Sequence, residues 1–199
     1  MGLGKSLCII ALIAKHKETL TALSNTPSVQ LPKWIKQSSG TLIVCPAPSV
    51  LRQRKLELEK HCKAPTVATF HGKGRKQLEA TLHECDVILT TCGIVAAEIK
   101  HYGREDIASA STNSKPVSDF TRPELIRQLI LTQIEFDRVV LDEAHTIRNH
   151  QTKLCSAICL LRAKRRWAVT GTPLQNNKAD LFAHFRFLRA SPFDGFLYF

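Results

Sequence analysis

The segment from Arg138 to His145 constrains the fold of this chain more than any other. It reads Arg-Val-Val-Leu-Asp-Glu-Ala-His, so that apolar, β-branched residues stop abruptly at two carboxylates and a histidine. A run of this kind is typical of a buried strand in a parallel sheet, and such sheets bind ligands beyond the carboxyl ends of their strands. The segment therefore predicts an α/β fold with acidic groups at the end of an interior strand.

A candidate phosphate site stands at the start of the chain. Gly4, Lys5 and Ser6 match the last three positions of the pattern G-x-x-x-x-G-K-[ST]. In that pattern the glycine lets backbone N–H groups approach a phosphate, the lysine reaches the β- and γ-phosphates, and the hydroxyl ligates Mg²⁺. With Asp142 as a second Mg²⁺ ligand and Glu143 orienting the attacking water, the two segments predict a nucleotide triphosphatase site.

Each motif has a plainer interpretation when it is taken alone. The tripeptide is short enough to occur by chance, and the first glycine of the full pattern would fall two positions before Met1. We therefore expect the strand before this loop to be absent, which would leave the sheet without an interior member or with an unpaired edge. The acidic tetrapeptide alone could cap a helix, and His145 alone could be a structural histidine.

Apolar runs alternate with amphipathic segments along the rest of the chain. Further strands are predicted at 41–45, 66–70, 86–91 and 166–170. Helices are predicted at 5–23, 49–61, 124–133, 151–162 and 178–188, with two more after Lys76 and up to Ile99. The polar segment 102–122 is predicted to be an inserted flexible loop. This order of elements predicts right-handed βαβ crossovers and a mostly parallel sheet.

The charge of the chain indicates the class of its binding partner, and its cysteines indicate the redox state of its compartment. The formal net charge of +11 favours a polyanionic partner, and basic residues cluster at 52–63, 73–76 and 162–166. Since no aromatic residues are interleaved with these cations, binding to a duplex backbone is favoured over base stacking, although any one cluster could be a solvated helix face. Seven scattered cysteines without a C-x-x-C pair predict no zinc site and favour a reducing compartment. The apolar run 7–14 is too short to cross a membrane.

Five segments, taken in order, resemble the helicase motifs of the SWI/SNF family of DNA-dependent ATPases. They are 1–6, 42–46, 86–91, 142–145 and 170–177. The sequences VLDEAHTIRN and RWAVTGTPLQNN, at 140–149 and 166–177, are most similar to the branch that contains the postreplication-repair translocases and the helicase-like transcription factor. The resemblance covers residues 1–199 and implies the first RecA-like lobe of a three-layer P-loop NTPase. It also implies a nuclear motor that uses ATP and Mg²⁺ to remodel protein–DNA complexes in chromatin or DNA repair.

The resemblance assigns roles to individual residues. Lys5 and Ser6 would hold phosphates and Mg²⁺, Asp142 would hold the Mg²⁺, and Glu143 would hold the hydrolytic water. The residues expected to bind the nucleotide are Gly2, Leu3, Gly4, Lys5, Ser6, His145, Gly171 and Thr172. Together with Thr170, the last three of these would couple the state of the nucleotide to closure of the lobes.

The chain departs from the family in two respects. Arg54 stands where the family commonly has a tryptophan, which affects the packing of that helix rather than the chemistry. The second lobe is absent, and in the family it supplies arginines that stabilise the transferring phosphate. Arginines of this kind contribute about 10³–10⁵ in rate. We therefore expect little ATPase activity from this polypeptide alone.

Double-stranded DNA is the implied partner, bound through its backbone without regard to sequence. Segments starting at Pro46 and at Thr90 would contact its phosphates. Two alternatives stay open. The chain could be a truncated, inactive fragment that only binds DNA or a partner, or it could be a lobe of a DEAH-class RNA helicase. The second alternative shares the letters of 142–145, but RNA helicases generally have Ser-Ala-Thr where this chain has Thr170–Thr172.

Overall fold

A six-stranded parallel sheet with helices on both faces forms the described part of the chain. The computed structural model describes residues 4–22, 31–62, 65–102, 129–173 and 178–195, with the backbone alone at 5, 16–22, 99–102, 178 and 179. The predicted binding residues Gly2 and Leu3 and nearly all of the predicted loop 102–122 lie outside the described residues.

The strands and helices alternate as the sequence predicts. The strands are β1 (Lys36–Gln37), β2 (Thr41–Cys45), β3 (Val67–Thr69), β4 (Val87–Thr91), β5 (Ile134–Asp142) and β6 (Arg162–Val169). The helices are α1 (Lys5–Ala22), α2 (Pro48–His61), α3 (Cys92–Tyr102), α4 (Lys153–Leu160) and α5 (Lys178–Leu188). Short 3-10 turns lie at Lys73–Leu78, Leu82–Glu84, Ile130–Gln133 and Ala144–Ile147.

The acidic strand β5 lies inside the sheet. It pairs with β6 on one side, and with β1 and then β2 on the other. Strand β4 follows β2, and β3 follows β4. Every one of these pairs is parallel, so the strands end at a common carboxyl edge. Among the described residues no strand pairs with the far side of β6.

Three helices begin for identifiable local reasons. Gly4 precedes α1 with a φ of 67°, a left-handed conformation that glycine adopts at little cost. Helix α2 has Pro48 at its first position, where the missing N–H would have no partner within the helix. Helix α4 is capped by Thr152, whose hydroxyl accepts a hydrogen bond of 3.2 Å from the backbone N–H of Cys155.

Alternating residues of the strands supply the two halves of the core. On one face Ile43 and Val140 pack with Ile9, Ile10 and Ile13 of α1 and with Leu51 and Leu58 of α2. On the other face Val139 and Leu141 pack in a larger cluster with residues of α3, α4 and α5. Helices therefore cover both faces of the sheet, which is the predicted three-layer architecture.

Several predicted boundaries need correction. The helix expected after Lys76 is instead a pair of 3-10 turns, Lys73–Leu78 and Leu82–Glu84. The first of them has no fully buried residue, although Leu78 packs partly against the core. The described end of the predicted helix 124–133 is likewise a 3-10 turn, Ile130–Gln133. Helix α4 is shorter than predicted, and β6 begins at Arg162, four positions before its predicted start. No helix in the described part of the chain has the length and hydropathy needed to cross a membrane.

Candidate functional site

The carboxyl edge of the sheet brings the predicted motifs together. Strand β5 ends at Asp142, which pairs in register with Val169 at the end of β6. On its other side Leu141 pairs with Val44, so that Cys45 of β2 lies beside the acidic end. The motif residues that follow Asp142 and Val169 therefore start from adjacent points of one edge.

Asp142 is fully buried, and both of its carboxylate oxygens have partners. The Nε and Nη2 atoms of Arg54 each lie 2.8 Å from its Oδ2. Its Oδ1 accepts a hydrogen bond of 3.1 Å from the backbone N–H of Glu143. A buried carboxylate needs a countercharge and hydrogen-bond donors, and here Arg54 of α2 supplies the countercharge.

A chain of polar contacts links the start of α1 to the end of β5. The third guanidinium nitrogen of Arg54, Nη1, lies 2.9 Å from Oε2 of Glu57. Glu57 in turn contacts the hydroxyl of Ser6 and accepts a hydrogen bond of 3.0 Å from Gln53. The two residues predicted to hold Mg²⁺, Ser6 and Asp142, are thus joined through two side chains of α2.

The ionisation of this cluster follows from its contacts. Partial burial disfavours the charge of Arg54, but the hydrogen bond and charge of Asp142 outweigh it and raise the pKa of Arg54. Burial also opposes ionisation of Glu57, yet the Ser6 and Gln53 hydrogen bonds and the charge of Arg54 keep its pKa below the ordinary value. Burial and the negative charge of Asp142 raise the pKa of Cys45 to about 12, so this thiol is neutral.

The residues after Asp142 form a second cluster. Glu143 has φ 49° and ψ 58°, which turns the chain into a 3-10 segment that starts at Ala144. Nδ1 of His145 lies 3.3 Å from Oε2 of Glu143 and 3.5 Å from the hydroxyl of Thr170. The Thr170 hydroxyl also accepts a hydrogen bond of 3.1 Å from the backbone N–H of Thr172. This cluster joins the acidic motif to the motif that follows β6.

The structure describes some of the predicted nucleotide-binding residues in full and Lys5 by its backbone alone. Gly4 and Ser6 lie at the start of α1, and Lys5 is described only as the first residue of that helix. Gly171 and Thr172 are exposed beyond the end of β6. His145 and Thr172 are brought together through Thr170.

The predicted Mg²⁺ ligands do not fit that ion in the arrangement observed. Oxygen ligands such as a serine hydroxyl and a carboxylate suit Mg²⁺. However, the guanidinium of Arg54 occupies Oδ2 of Asp142, and Glu57 engages the hydroxyl of Ser6. A cation placed at Asp142 would have to displace the positive charge already there.

Arg54 and Glu57 are the site residues that sequence reasoning missed. The interpretation of Arg54 as a matter of packing alone was wrong, because its guanidinium touches the acidic motif directly. The signal was present in the sequence, since a charge stands where the family commonly has a tryptophan. Nothing in the spacing, however, showed that α2 would lay this residue over the end of β5, 88 residues away.

One residue predicted to contact DNA, Thr90, is buried and takes part in a hydrogen bond within the protein. The hydroxyl of Thr90 is buried and donates a hydrogen bond of 3.0 Å to the carbonyl of Phe70. The first exposed residue after it is Gly93, at the start of α3.

Part of the basic cluster 162–166 is also structural. Arg165 pairs with Asp137 at 2.6 Å, and Arg166 donates hydrogen bonds to the carbonyl oxygens of Leu161 and Phe187. Burial and the nearby charge of Arg189 lower the pKa of Arg166 to about 10. Lys73 and Lys76 remain exposed.

Comparisons with known proteins agree with this architecture. The family model described as the SNF2-related domain matches residues 1–199. Transcription termination factor 2 of Drosophila melanogaster is 38% identical over 157 residues, which are 78% of this chain and 12% of that protein. Helicase-like transcription factor CHR27 of Arabidopsis thaliana is 36% identical over 193 residues, 81% of this chain and 18% of that protein. DNA repair protein RAD5A of the same plant is 34% identical over 162 residues, 80% of this chain and 14% of that protein.

A solved structure shares the fold. The SWI2/SNF2 ATPase core of Sulfolobus solfataricus in complex with double-stranded DNA superposes with a TM-score of 0.64 at 28% identity. The match covers 96% of this chain and 30% of that chain. The chain therefore spans about a third of that ATPase core and less than a fifth of the three curated relatives named above.

Proposed function

The chain belongs to the SNF2-related domain family, and from this premise we propose that it is the ATP-binding first lobe of a DNA-dependent ATPase that moves along double-stranded DNA. The predicted resemblance to the SWI/SNF family and the predicted α/β lobe are confirmed by the comparisons. The RNA helicase alternative receives no support from them, since the relatives named above are a transcription termination factor, a helicase-like transcription factor and a DNA repair protein.

One observation carries the proposal. The polar chain from Ser6 through Glu57 and Arg54 to Asp142 brings the start of α1 and the end of β5 to one place. A helix N-terminus with a preceding glycine attracts phosphate through its unpaired N–H groups and its dipole. The acidic strand end beside it supplies a group that can act on water. These are the two halves of a site for phosphoanhydride hydrolysis.

The residues divide the proposed work among them. Lys5 and the N-terminus of α1 bind the phosphates of ATP. Glu143, whose side chain is about a third exposed, orients or deprotonates the attacking water. His145, in reach of both Glu143 and Thr170, transmits the state of this site to the segment at Gly171 and Thr172. The Mg²⁺ role predicted for Ser6 and Asp142 is not part of this account, because α2 side chains hold both groups.

Double-stranded DNA is the proposed substrate along which the motor moves. The related ATPase core of Sulfolobus solfataricus was solved with double-stranded DNA, and the net charge of +11 suits a polyanion. The relatives include a transcription termination factor and a DNA repair protein. We therefore place the complete motor in the nucleus, where it would remodel protein–DNA complexes in transcription or repair.

Nucleotide binding by the 199-residue chain tests the proposal. A fluorescent ADP analogue, followed by anisotropy, should bind wild type and bind Lys5→Ala at least about tenfold more weakly. Lys33→Ala is the matched control, because it removes an exposed lysine from the opposite end of the sheet. Equal affinity for wild type and Lys5→Ala would contradict the proposed phosphate site.

A second candidate function is favoured by the same Arg54 contact. A carboxylate neutralised by an arginine suits a lobe that binds DNA or a partner but has lost hydrolysis. This candidate predicts salt-sensitive DNA binding with no detectable binding of the ADP analogue.

A further inference from the structure

The guanidinium of Arg54 contacts the carboxylate of Asp142, where a divalent cation would otherwise bind. Its side chain is only 12% exposed, and the Asp142 side chain that it contacts is fully buried. Two of its nitrogens share one carboxylate oxygen, and the third is held by Glu57. An arginine fixed by three charge-assisted contacts has little freedom to leave.

Arg54 also lies near the start of α1. It lines a small concavity between α1, α2 and the sheet, together with Ser6 and the apolar side chains Ile9, Ile10, Ile43 and Leu58. Among the described residues, its contacts use three of its five N–H groups. One N–H on each terminal nitrogen is thus left to donate to a bound anion.

We propose that Arg54 replaces the divalent cation at Asp142, so that this lobe binds the phosphates of a nucleoside diphosphate or triphosphate without requiring Mg²⁺. The inference rests on the proposed nucleotide site and adds a specific property to it. A guanidinium that neutralises Asp142 removes the main repulsion between that carboxylate and a phosphate. A magnesium ion arriving with the nucleotide meets a site that already holds a positive charge.

The test compares binding of a fluorescent ADP analogue in excess Mg²⁺ and in excess EDTA. For the wild-type 199-residue chain we expect dissociation constants that agree within about twofold. For Arg54→Trp, which restores the residue common in the family, we expect binding at least about tenfold tighter with Mg²⁺ than with EDTA. Arg54→Lys keeps the charge and should behave like wild type. Lys55→Trp is the matched control on the exposed side of the same helix, and it too should behave like wild type.

A second readout does not depend on the fluorophore. Saturating ADP should raise the thermal unfolding midpoint of wild type equally with Mg²⁺ and with EDTA, because stabilisation by a ligand follows its affinity. If Arg54→Trp does not fold, the wild-type and Arg54→Lys measurements still decide the matter.

The outcomes separate the inference from the function on which it rests. Wild type that binds ADP at least about tenfold more tightly with Mg²⁺ would overturn the inference and leave the nucleotide site standing. A variant Arg54→Trp that folds and stays indifferent to Mg²⁺ would overturn it as well. Absence of ADP binding by wild type under both conditions would overturn the proposed function and the inference together.

Discussion

The guanidinium of Arg54 and the carboxylate of Asp142 form a buried ion pair, with two nitrogens 2.8 Å from one oxygen. The pair ties the middle of α2 to the end of the central strand β5. It thereby fixes the position of α2 above the carboxyl edge. It also neutralises the negative charge of Asp142, so that a ligand meets a less acidic motif.

We expect Arg54→Ala to lower the free energy of unfolding by about 3–5 kcal/mol, because the change leaves a fully buried carboxylate without its countercharge. The measurement is chemical denaturation of the wild-type and variant chains near neutral pH. Lys55→Ala is the control, since Lys55 is exposed and its contact with Glu59 is 3.8 Å long. For this control we expect a change within about 0.5 kcal/mol. A loss below about 1 kcal/mol for Arg54→Ala would show that this ion pair contributes little to the stability of the folded chain.

The sequence was sufficient to predict the elements that bury apolar residues. Strand β2 has the predicted limits, and α1, α2, α5 and β4 lie within a residue or two of theirs. Runs such as Thr41–Cys45, in which every residue is buried, have few alternatives to an interior strand. The acidic strand end and the neighbouring motif after β6 followed from the same pattern.

Elements that depend on charged side chains could not be predicted in this way. Strand β6 begins with Arg162, Ala163, Lys164 and Arg165, a composition that suggests a solvated surface. It is a strand because β5 offers a full edge and Asp137 accepts the charge of Arg165. The contact between Arg54 and Asp142 could not be predicted from the sequence for the same reason. Only the packing of α2 on the sheet brings the two groups together.

We expect the 199-residue chain to show no DNA-stimulated release of phosphate from ATP. The family resemblance places arginines worth about 10³–10⁵ in rate on a second lobe. This chain matches 30% of the related ATPase core. The assay is phosphate release with and without duplex DNA. Turnover that rises with DNA and is abolished by Lys5→Ala or Glu143→Gln would show that these residues suffice for catalysis.

We expect the chain to bind duplex DNA in a manner that depends steeply on salt and little on sequence. If about six phosphates are contacted, raising the salt from about 50 to 200 mM should weaken binding by about 10³. Replacing exposed Lys73 and Lys76 together by alanine should reduce the slope of log K against log salt by about 2 if both touch phosphates.

The control for this salt dependence is Lys33→Ala/Lys36→Ala, which removes the same charge from the opposite end of the sheet. Its slope should equal that of wild type. A preference for single-stranded RNA over duplex DNA of equal length would argue instead for an RNA helicase lobe.

Glu98 of α3 should make stability depend on pH. Burial raises the pKa of Glu98 from 4.5 to about 7, against the effects of the Leu131 backbone hydrogen bond and of Arg75, and Glu79 adds to the rise. Between these two values the folded chain holds a proton that the unfolded chain has released. The contribution of Glu98 to stability is therefore fully present below pH 4.5 and is lost as the pH rises through about 7.

The variant Glu98→Gln isolates this effect, because its amide oxygen can still accept the hydrogen bond from Leu131 and it has no proton to lose. We expect it to exceed wild type in stability by up to about 3 kcal/mol near pH 8 and to match it near pH 4. Glu59→Gln on exposed α2 is the control and should leave the pH dependence unchanged. Denaturation curves at both pH values measure the difference, and a Glu98→Gln variant with the same pH dependence as wild type would show that Glu98 is ionised in the folded chain.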